Sequence, residues 1–576
     1  MAKDYTLEKR KFVIGGVAIV IVIIYIMRLF VLQIMTDTYK KNADSNAFLN
    51  KIQYPSRGAI YDRNGKLLVF NQPAYDITFV PREVTELDTL DFCRTLNITK
   101  EQLLKRMKDV KNRWMNPGYS RYTHQVFMTQ LSAEECGVFQ EKLFKFPGFY
   151  IQRRTIRQYT YNSAGHALGD IGEVSMRDIE ADDYYIRGDY VGKQGIEKSY
   201  EKYLRGEKGV EVLLRDAHGR IQGHYMDGKL DRPSIPGKNL KLGLDIDLQM
   251  LGERLMKNKI GAIVAIEPET GEILCLVSAP NFDPHLMIGR QRGKNHNMLQ
   301  RDKQKPLLNR AIMGVYPPGS TFKVVTALDY FRTRGSFNGF SFDCQGSITK
   351  ENHTIQCYNG KVHGTEDFYT AFANSCNCAF AEIGTELGGA SLLKTSEDLL
   401  FNKKLPLTSY RKSSFTLNGS SGIPLIMQTA IGQGNTLVSP MHMALITSAI
   451  ANDGLLMKPY LIDKVTNAGG DTIRTTEPTD YKRLMTSNEA ALLGKLMEGV
   501  VQNGTASALN GRGYTVAGKT GSAEYDENGS SHSWFIGYSN VDKPDLVVAI
   551  IVEGGGTGSE AAVPIAADLF DAYYFD

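Results

Sequence analysis

Charge of one sign is what this 576-residue chain has least of. Lysine and arginine total 67 against 63 aspartates and glutamates, a formal net charge of +4. Near balance over such a length leaves no electrostatic footprint for nucleic acid, and no nucleic-acid partner is expected. Internal repeats and low-complexity tracts are missing too, which excludes a solenoid and a largely disordered chain. Cysteine is sparse and odd in number: Cys93, Cys136, Cys275, Cys344, Cys357, Cys376 and Cys378. In an oxidising compartment at least one of the seven stays unpaired, so the chain is no disulfide scaffold.

Long apolar runs are equally scarce. There is one, Phe12 to Met27, and it reaches Met35 if Arg28 and Gln33 are admitted near its end. At about 1.5 Å per residue it spans roughly 36 Å, enough to cross a bilayer with some tilt. Lys9, Arg10 and Lys11 precede it and favour a cytoplasmic N-terminus. A cleaved signal peptide competes with this reading, but the run is long for one and no small-residue cleavage site follows. The expectation is an uncleaved single-pass anchor: tail 1–11, membrane segment 12–35, and 36–576 outside the cytoplasm. So short a tail has no room for a cytoplasmic signalling domain, which argues against a membrane sensor.

The remaining length is too much for one ordinary domain and suits two or three. Residues 36–240 mix β-like runs (Ala74 to Val80) with polar helical ones (Lys100 to Val110). Arg232-Pro233-Ser234-Ile235-Pro236-Gly237 reads as a boundary. Residues 241–576 open with a helical stretch, Leu248 to Lys257, then two strand-like segments, Gly261 to Ile266 and Ile273 to Ser278. The end is similar: a strand from Asp545 to Glu553, a glycine-rich turn, and a helix from Ala561. Strands at both ends with helices between predict an α+β layer fold.

Chemistry enters at Ser320-Thr321-Phe322-Lys323, with Ser375-Cys376-Asn377 and Lys519-Thr520-Gly521 downstream. A lone Ser-x-x-Lys is weak evidence. The chain has it at Ser199, Ser320, Ser347, Ser391 and Ser409, and an exposed polar pair is the ordinary explanation of each. Ser-x-Asn occurs at Ser336 and Ser375; Lys-Thr-Gly occurs once. Context singles out Ser320. Tyr316-Pro317-Pro318-Gly319 stops an element before it, and Val324 to Leu328 starts a helix after it.

At the mouth of that helix, residues i and i+3 share a face, so Lys323 Nζ is expected to reach Ser320 Oγ. A serine hydroxyl needs a base to become a nucleophile, and lysine serves only when neutral. Burial and a second cation, Lys519, would lower its pKa. The backbone N–H groups of Ser320 and Ser522 are candidates for an oxyanion hole. The third element reads as a strand, Tyr514 to Ala523, then a turn, Asp526 to Ser531, and a second strand, Trp534 to Tyr538. Gly521 would let a ligand approach the backbone.

Four cysteines fall between residues 344 and 378, with His363 among them. Cys344, Cys357, His363 and Cys376 make a Cys₃His set suited to structural Zn²⁺, though the spacing matches no standard zinc finger. A Cys344–Cys357 disulfide and plain burial as small hydrophobes are the alternatives.

The three motifs stand in the order known for penicillin-binding proteins and serine β-lactamases. The likeness extends to Arg57-Gly58-Ala59-Ile60-Tyr61-Asp62-Arg63-Asn64-Gly65. It takes in Gly195-Ile196-Glu197-Lys198 with Tyr203-Leu204-Arg205-Gly206, and Asp245-Ile246-Asp247-Leu248-Gln249. Gly432-Gln433-Gly434 with Ser439-Pro440 also fits. On these residues the chain resembles the class B penicillin-binding proteins, the D,D-transpeptidases that cross-link peptidoglycan. Within the class it is most similar to the elongation-type branch, penicillin-binding protein 2.

The resemblance implies a penicillin-binding/β-lactamase-like transpeptidase domain, a mostly antiparallel sheet flanked by helices, behind a mixed α/β pedestal and one transmembrane helix. The pedestal lacks the length and motifs of a glycosyltransferase. Ser320 would attack the penultimate D-alanine carbonyl of a stem peptide, with Lys323 as base. Ser375 and Lys519 would relay the proton, Asn377 would bond the peptide amide, and Lys519, Thr520 and Ser522 would hold the terminal carboxylate. β-Lactams would acylate Ser320.

No cofactor is required for the acyl chemistry, and elongation-type relatives carry zinc in this part of the chain. The implied setting is the bacterial cytoplasmic membrane. The implied partners are lipid-linked glycan strands, a SEDS-family glycosyltransferase and the elongation machinery. A division-type transpeptidase, a D,D-carboxypeptidase or β-lactamase, and a silent scaffold are the rivals. The pedestal and the anchor weigh against a β-lactamase, and the intact motifs against a scaffold.

Overall fold

The computed structural model describes residues 5–31, 48–114, 116, 119–215, 221–408, 410–524 and 531–575. Ser409, residues 32–35 of the expected membrane run and residues 526–530 of the expected turn lie outside these. The chain opens with a helix, Tyr5–Phe30. Its Phe12–Phe30 stretch has a mean hydropathy of 2.6 and no buried residue, and is long and apolar enough to cross a membrane. The helix starts at Tyr5, so most of the expected N-terminal tail is already helical.

The pedestal is organised by one long strand, Leu67–Phe79. It pairs along its length with Phe149–Tyr159, from Val69↔Tyr159 to Phe79↔Phe149, and with Gln125–Leu131 on the other side. Phe79, Phe92, Phe127, Phe139, Phe146 and Phe149 stack into a small core of their own. The helix expected from residue 100 runs Lys100–Lys111, started by a capping box between Thr99 and Gln102.

Two of the sequence signatures meet here. Arg57 donates to Glu197 Oε2 at 2.6 Å and to Glu201 Oε2 at 2.6 Å. Asn64 donates to Asp245 Oδ2 at 3.0 Å, which ties the first signature to the entry of the second half.

The Arg232–Gly237 stretch is stitched down. Val210 bridges Arg232 and Glu207 bridges Ile235. A Cβ on Gly237 would lie 1.9 Å from Leu204 O, so only glycine fits against that backbone. Immediately after it, Asn239–Leu242 pairs in parallel with Ile60–Tyr61 and antiparallel with Ile462–Thr466. One seven-stranded sheet therefore crosses from the pedestal into the second half.

The second half is built on five antiparallel strands. In spatial order they are Glu272–Ala279, Gly261–Glu267, Leu546–Val552, Ser531–Ser539 and Val516–Glu524. Every residue of Leu546–Val552 is buried, which requires cover on both faces. Helices Pro440–Ala451, Ile246–Leu255 and Val563–Phe575 pack on the sheet. The expected elements are present with ends moved by a few residues. Tyr514 falls outside its strand, which begins at Val516, and its hydroxyl donates to Asp571 Oδ1 at 2.6 Å. A π-helical turn, Gly558–Ala562, precedes the last helix. Val516–Glu524 is the sheet edge, and the turn carrying Ser320 packs against it.

Candidate active site

Pro317, Pro318 and Gly319 bring the chain to Ser320 in a 3₁₀ turn, Gly319–Phe322, that runs into the helix Lys323–Arg334. Three bonds fix the turn. Trp534 Nε1 donates to Pro317 O at 3.0 Å, Thr321 Oγ1 to Pro318 O at 2.7 Å, and Gly319 N to Gly432 O at 2.9 Å. Gly319 has φ +55°, and a Cβ there would lie 2.6 Å from Ser522 O. Gly432 backs the turn so closely that its Cβ would lie 2.0 Å from Gly319 O. Ser320 is half-buried, and its hydroxyl has no hydrogen-bond partner among the described residues.

Lys323 is fully buried, but its ammonium does not bond Ser320 as expected. It reaches across to the Ser375 loop: Ser375 O at 2.6 Å, Asn377 Oδ1 at 2.8 Å and Ser375 Oγ at 3.2 Å. Three acceptors outcompete one hydroxyl for a buried cation. Ser375 sits at φ +57° and Cys376 caps the following helix, Asn377–Asp398. Ser375 Oγ also takes Lys519 Nζ at 2.8 Å, so one hydroxyl joins the two lysines. Asn377 is held at both ends, its Nδ2 donating to Gln356 O at 2.9 Å.

Lys519 is fully buried as well and projects from the edge strand, paired there with Ile536. Gly521 has a packing role. A Cβ would approach Thr321 Cγ2 at 3.0 Å and Pro318 O at 3.2 Å, so the glycine lets the strand lie against the Ser320 turn. Thr520 is buried with its Oγ1 2.5 Å from Thr505 Oγ1, and Ser522 is half-buried.

Burial lowers the pKa of Lys323 to about 8, with the nearby cysteine sulfurs and Glu366 opposing the shift. Burial, and then repulsion from Lys323, push Lys519 well below the ordinary lysine value. The mutual repulsion thus falls on Lys519, where the reverse was expected. Two ammoniums cannot share this dry site, so the pair bridged by Ser375 holds one proton.

The other serine motifs are plain. Ser199 Oγ bonds Gly195 O, Lys350 beyond Ser347 pairs with Glu382, Ser391 bonds Asp329, and Ser336 accepts from Asn338 N in a turn.

Sequence reasoning missed Thr505, Phe372 and Phe380. The two rings lie 5.5 Å from Lys519 Nζ and 5.4 Å from Lys323 Nζ. Thr505 N also donates to Ala373 O at 3.3 Å, so one residue touches both the Ser375 segment and the edge strand.

The cysteine cluster adjoins this centre through Cys376. Cys344, Cys357, His363 and Cys376 place their ligand atoms within 4.8 Å of one another. The sulfurs of Cys344 and Cys357 are 3.7 Å apart and both thiols are free, which removes the disulfide alternative. Cys357 and Cys376 are also 3.7 Å apart, and Cys344 Sγ is 3.5 Å from His363 Nδ1. A tetrahedron with Zn–S of ~2.3 Å has edges of about 3.8 Å, so the donor set fits zinc in type and spacing.

The model of the penicillin-binding protein transpeptidase domain matches residues 261–571, and that of the penicillin-binding protein dimerisation domain matches residues 52–242. The chain is a penicillin-binding protein. This penicillin-binding protein is 30% identical over 614 residues to the peptidoglycan D,D-transpeptidase MrdA of Acinetobacter baumannii, covering 99% of this chain and 88% of that one. It is 27% identical over 610 residues to MrdA of Escherichia coli K12, covering 96% and 93%.

Among solved structures it is similar to PBP2 of Helicobacter pylori in complex with MreC. The TM-score is 0.78 at 25% identity, covering 92% of this chain and 100% of that one. It shares its fold with PBP2 of Pseudomonas aeruginosa, at a TM-score of 0.67 and 23% identity over 92% and 97%.

Proposed function

We propose that this penicillin-binding protein is an elongation-type peptidoglycan D,D-transpeptidase that works through an acyl ester on Ser320. The observation that carries this reading is the Lys323–Ser375–Lys519 bridge beside a half-buried, unbonded serine. The terminal carboxylate of the D-Ala-D-Ala stem docks near Lys519, Thr520 and Ser522. That negative charge draws the shared proton through Ser375 onto Lys519 and leaves Lys323 neutral.

Lys323 then accepts the proton of Ser320, whose Oγ attacks the penultimate D-alanine carbonyl. The N–H groups of Ser320 and Ser522 hold the oxyanion. Collapse breaks the C–N bond, and the departing D-alanine takes a proton through Ser375. The amine of a neighbouring stem attacks the ester, the cross-link forms, and Ser320 regains its proton. Asn377 fixes Lys323 through Oδ1, and the second hydrogen of its Nδ2, beyond the bond to Gln356 O, would serve the peptide. β-Lactams carry a carboxylate and a strained amide into the same place. The MrdA likeness favours this reading over a division-type enzyme or a hydrolase.

The domain plan we assign is tail 1–11, anchor 12–35, pedestal 36–240 and transpeptidase 241–576. The tail is cytoplasmic and the catalytic half lies outside the cytoplasmic membrane. Cys344, Cys357, His363 and Cys376 would hold a structural Zn²⁺, which would pin the Ser375 loop and supply no chemistry. The MreC complex of the Helicobacter pylori relative supports elongation partners for this chain. A SEDS-family glycosyltransferase is the further partner we assign.

Fluorescent penicillin labelling tests the reading. Ser320→Ala should lose the label and Ser347→Ala keep it; an adduct on any other residue refutes it. Depletion in growing rods should give rounding, where filamentation would mean division.

A further inference from the structure

The pedestal holds an open hollow of about 70 Å³, far from the catalytic motifs in sequence and lined by none of their residues. Its wall includes Tyr54, Arg154, Arg157, Tyr184, Arg205 and Lys208, with Asp189 the single acid among the lining residues. Most of these cations already have partners. Arg154 donates to Asp76 Oδ2 at 2.8 Å, Arg205 to Asp182 Oδ2 at 2.7 Å, and Lys208 to Asp189. Tyrosine faces hold the guanidiniums in place: Arg154 lies 4.0 Å over Tyr54 and Arg205 4.0 Å over Tyr184.

Arg157 differs. Its side chain is 2% exposed. Nε donates to Glu197 Oε1 at 2.6 Å and Nη1 to Asn71 Oδ1 at 3.2 Å. Nη2 has no partner among the described residues. Glu197 is shared with Arg57, which is also held by Glu201, so Arg157 has only one oxygen of one carboxylate to itself. A buried charged donor left unpaired is costly, and this one belongs to a residue in the wall of a hollow with room for a small anionic group. Its remaining fork position suits an oxyanion.

We propose that this cavity binds an oxyanion borne by the substrate strand, and that Arg157 receives it. The oxyanion is a peptidoglycan carboxylate or the diphosphate of a lipid-linked glycan. The ligand's identity rests on the transpeptidase reading; the site rests on the cavity and its unpaired donor. Such a site would hold a strand at the pedestal while its stem peptide reacts at Ser320.

Calorimetric titration of the full chain in detergent tests this, after benzylpenicillin has blocked Ser320. The probes are inorganic pyrophosphate and a soluble disaccharide-peptide fragment. One equivalent of either should bind, with affinity at least tenfold weaker in Arg157→Lys. Arg205→Gln, whose partner Asp182 is partly exposed and tolerates the loss, should bind at least threefold more weakly and decides the matter if Arg157→Lys does not fold. Binding of pyrophosphate alone assigns the lipid-linked source; binding of the fragment alone assigns the peptidoglycan carboxylate. No saturable binding of either probe, or unchanged affinity in the folded variants, overturns the proposal. Failure of penicillin to acylate Ser320 strikes the catalytic reading and leaves the cavity titration standing.

Discussion

Lys323 and Lys519 lie on either side of one hydroxyl, and their shared proton sets the pH behaviour. The reactive arrangement needs Lys323 neutral and Lys519 charged, a total of one proton. Lys519 takes its own second proton only well below the ordinary lysine range, so the one-proton state extends upward to about pH 8, where Lys323 titrates. Acylation by a β-lactam should therefore fall about tenfold per unit once pH passes 8. A rate that keeps climbing to pH 10 would mean that no cation is needed on Lys519. Thr505 is a positioning residue: its hydroxyl orients that of Thr520 at 2.5 Å. Thr505→Val forfeits a bond worth about 1 kcal/mol and should raise the apparent KM for substrate about fivefold with kcat little changed. Equal losses in both constants would show a merely structural role. The catalytic residues were legible because their spacing encodes chemistry. Thr505 and the two phenylalanines were not, since they act through distant packing that no local pattern records.

At the scale of elements, the decisive object is the loop that ends at Ser375. Strand Phe342–Cys344, strand His353–Gln356 and helix Asn377–Asp398 converge on it, and the cysteines stand where they meet. With zinc bound, the purified full chain should carry about one equivalent of metal. Cys357→Ser should lose it and slow penicillin acylation by roughly tenfold to a hundredfold, because Ser375 and Asn377 lose their support. Metal analysis beside acylation kinetics reads both, and a metal-free, fully active wild type would refute the site. The sequence supplied the four-residue set, and the structure brings it together through pairings such as Cys344↔Gly364 that no local pattern records. Gly-Gln-Gly was visible as a motif, yet its task needed the fold: Gly432 is the backing plate of the Ser320 turn. The strand pair around Lys519 was legible from its β-forming residues, with only its ends misplaced.

For the whole molecule, two buried histidines make acid the weak side. Burial holds both His166 and His442 neutral, each with a pKa of about 4. Their unfolded forms bind protons below about 6.5, so stability is full above that pH and declines as pH falls towards 4. At pH 5 each should cost about 2 kcal/mol, and the melting temperature should drop by several degrees relative to pH 7.5. His442→Gln should flatten part of that slope; an unchanged slope would exclude the residue. The composition and the motif order gave the two-part plan, but the crossing at residue 240 looked like a linker because prolines and glycines punctuate it. In three dimensions Asn239–Leu242 is shared between the parts. A catalytic fragment begun just past that strand would carry a raw, unsaturated β-edge at Ile462–Thr466, and its severed companion would carry another along Asn239–Leu242. Both would be sticky templates for self-association. The two parts are thus leaves sewn into one sheet, and what bends the first has a hydrogen-bonded path to the page on which the chemistry is written.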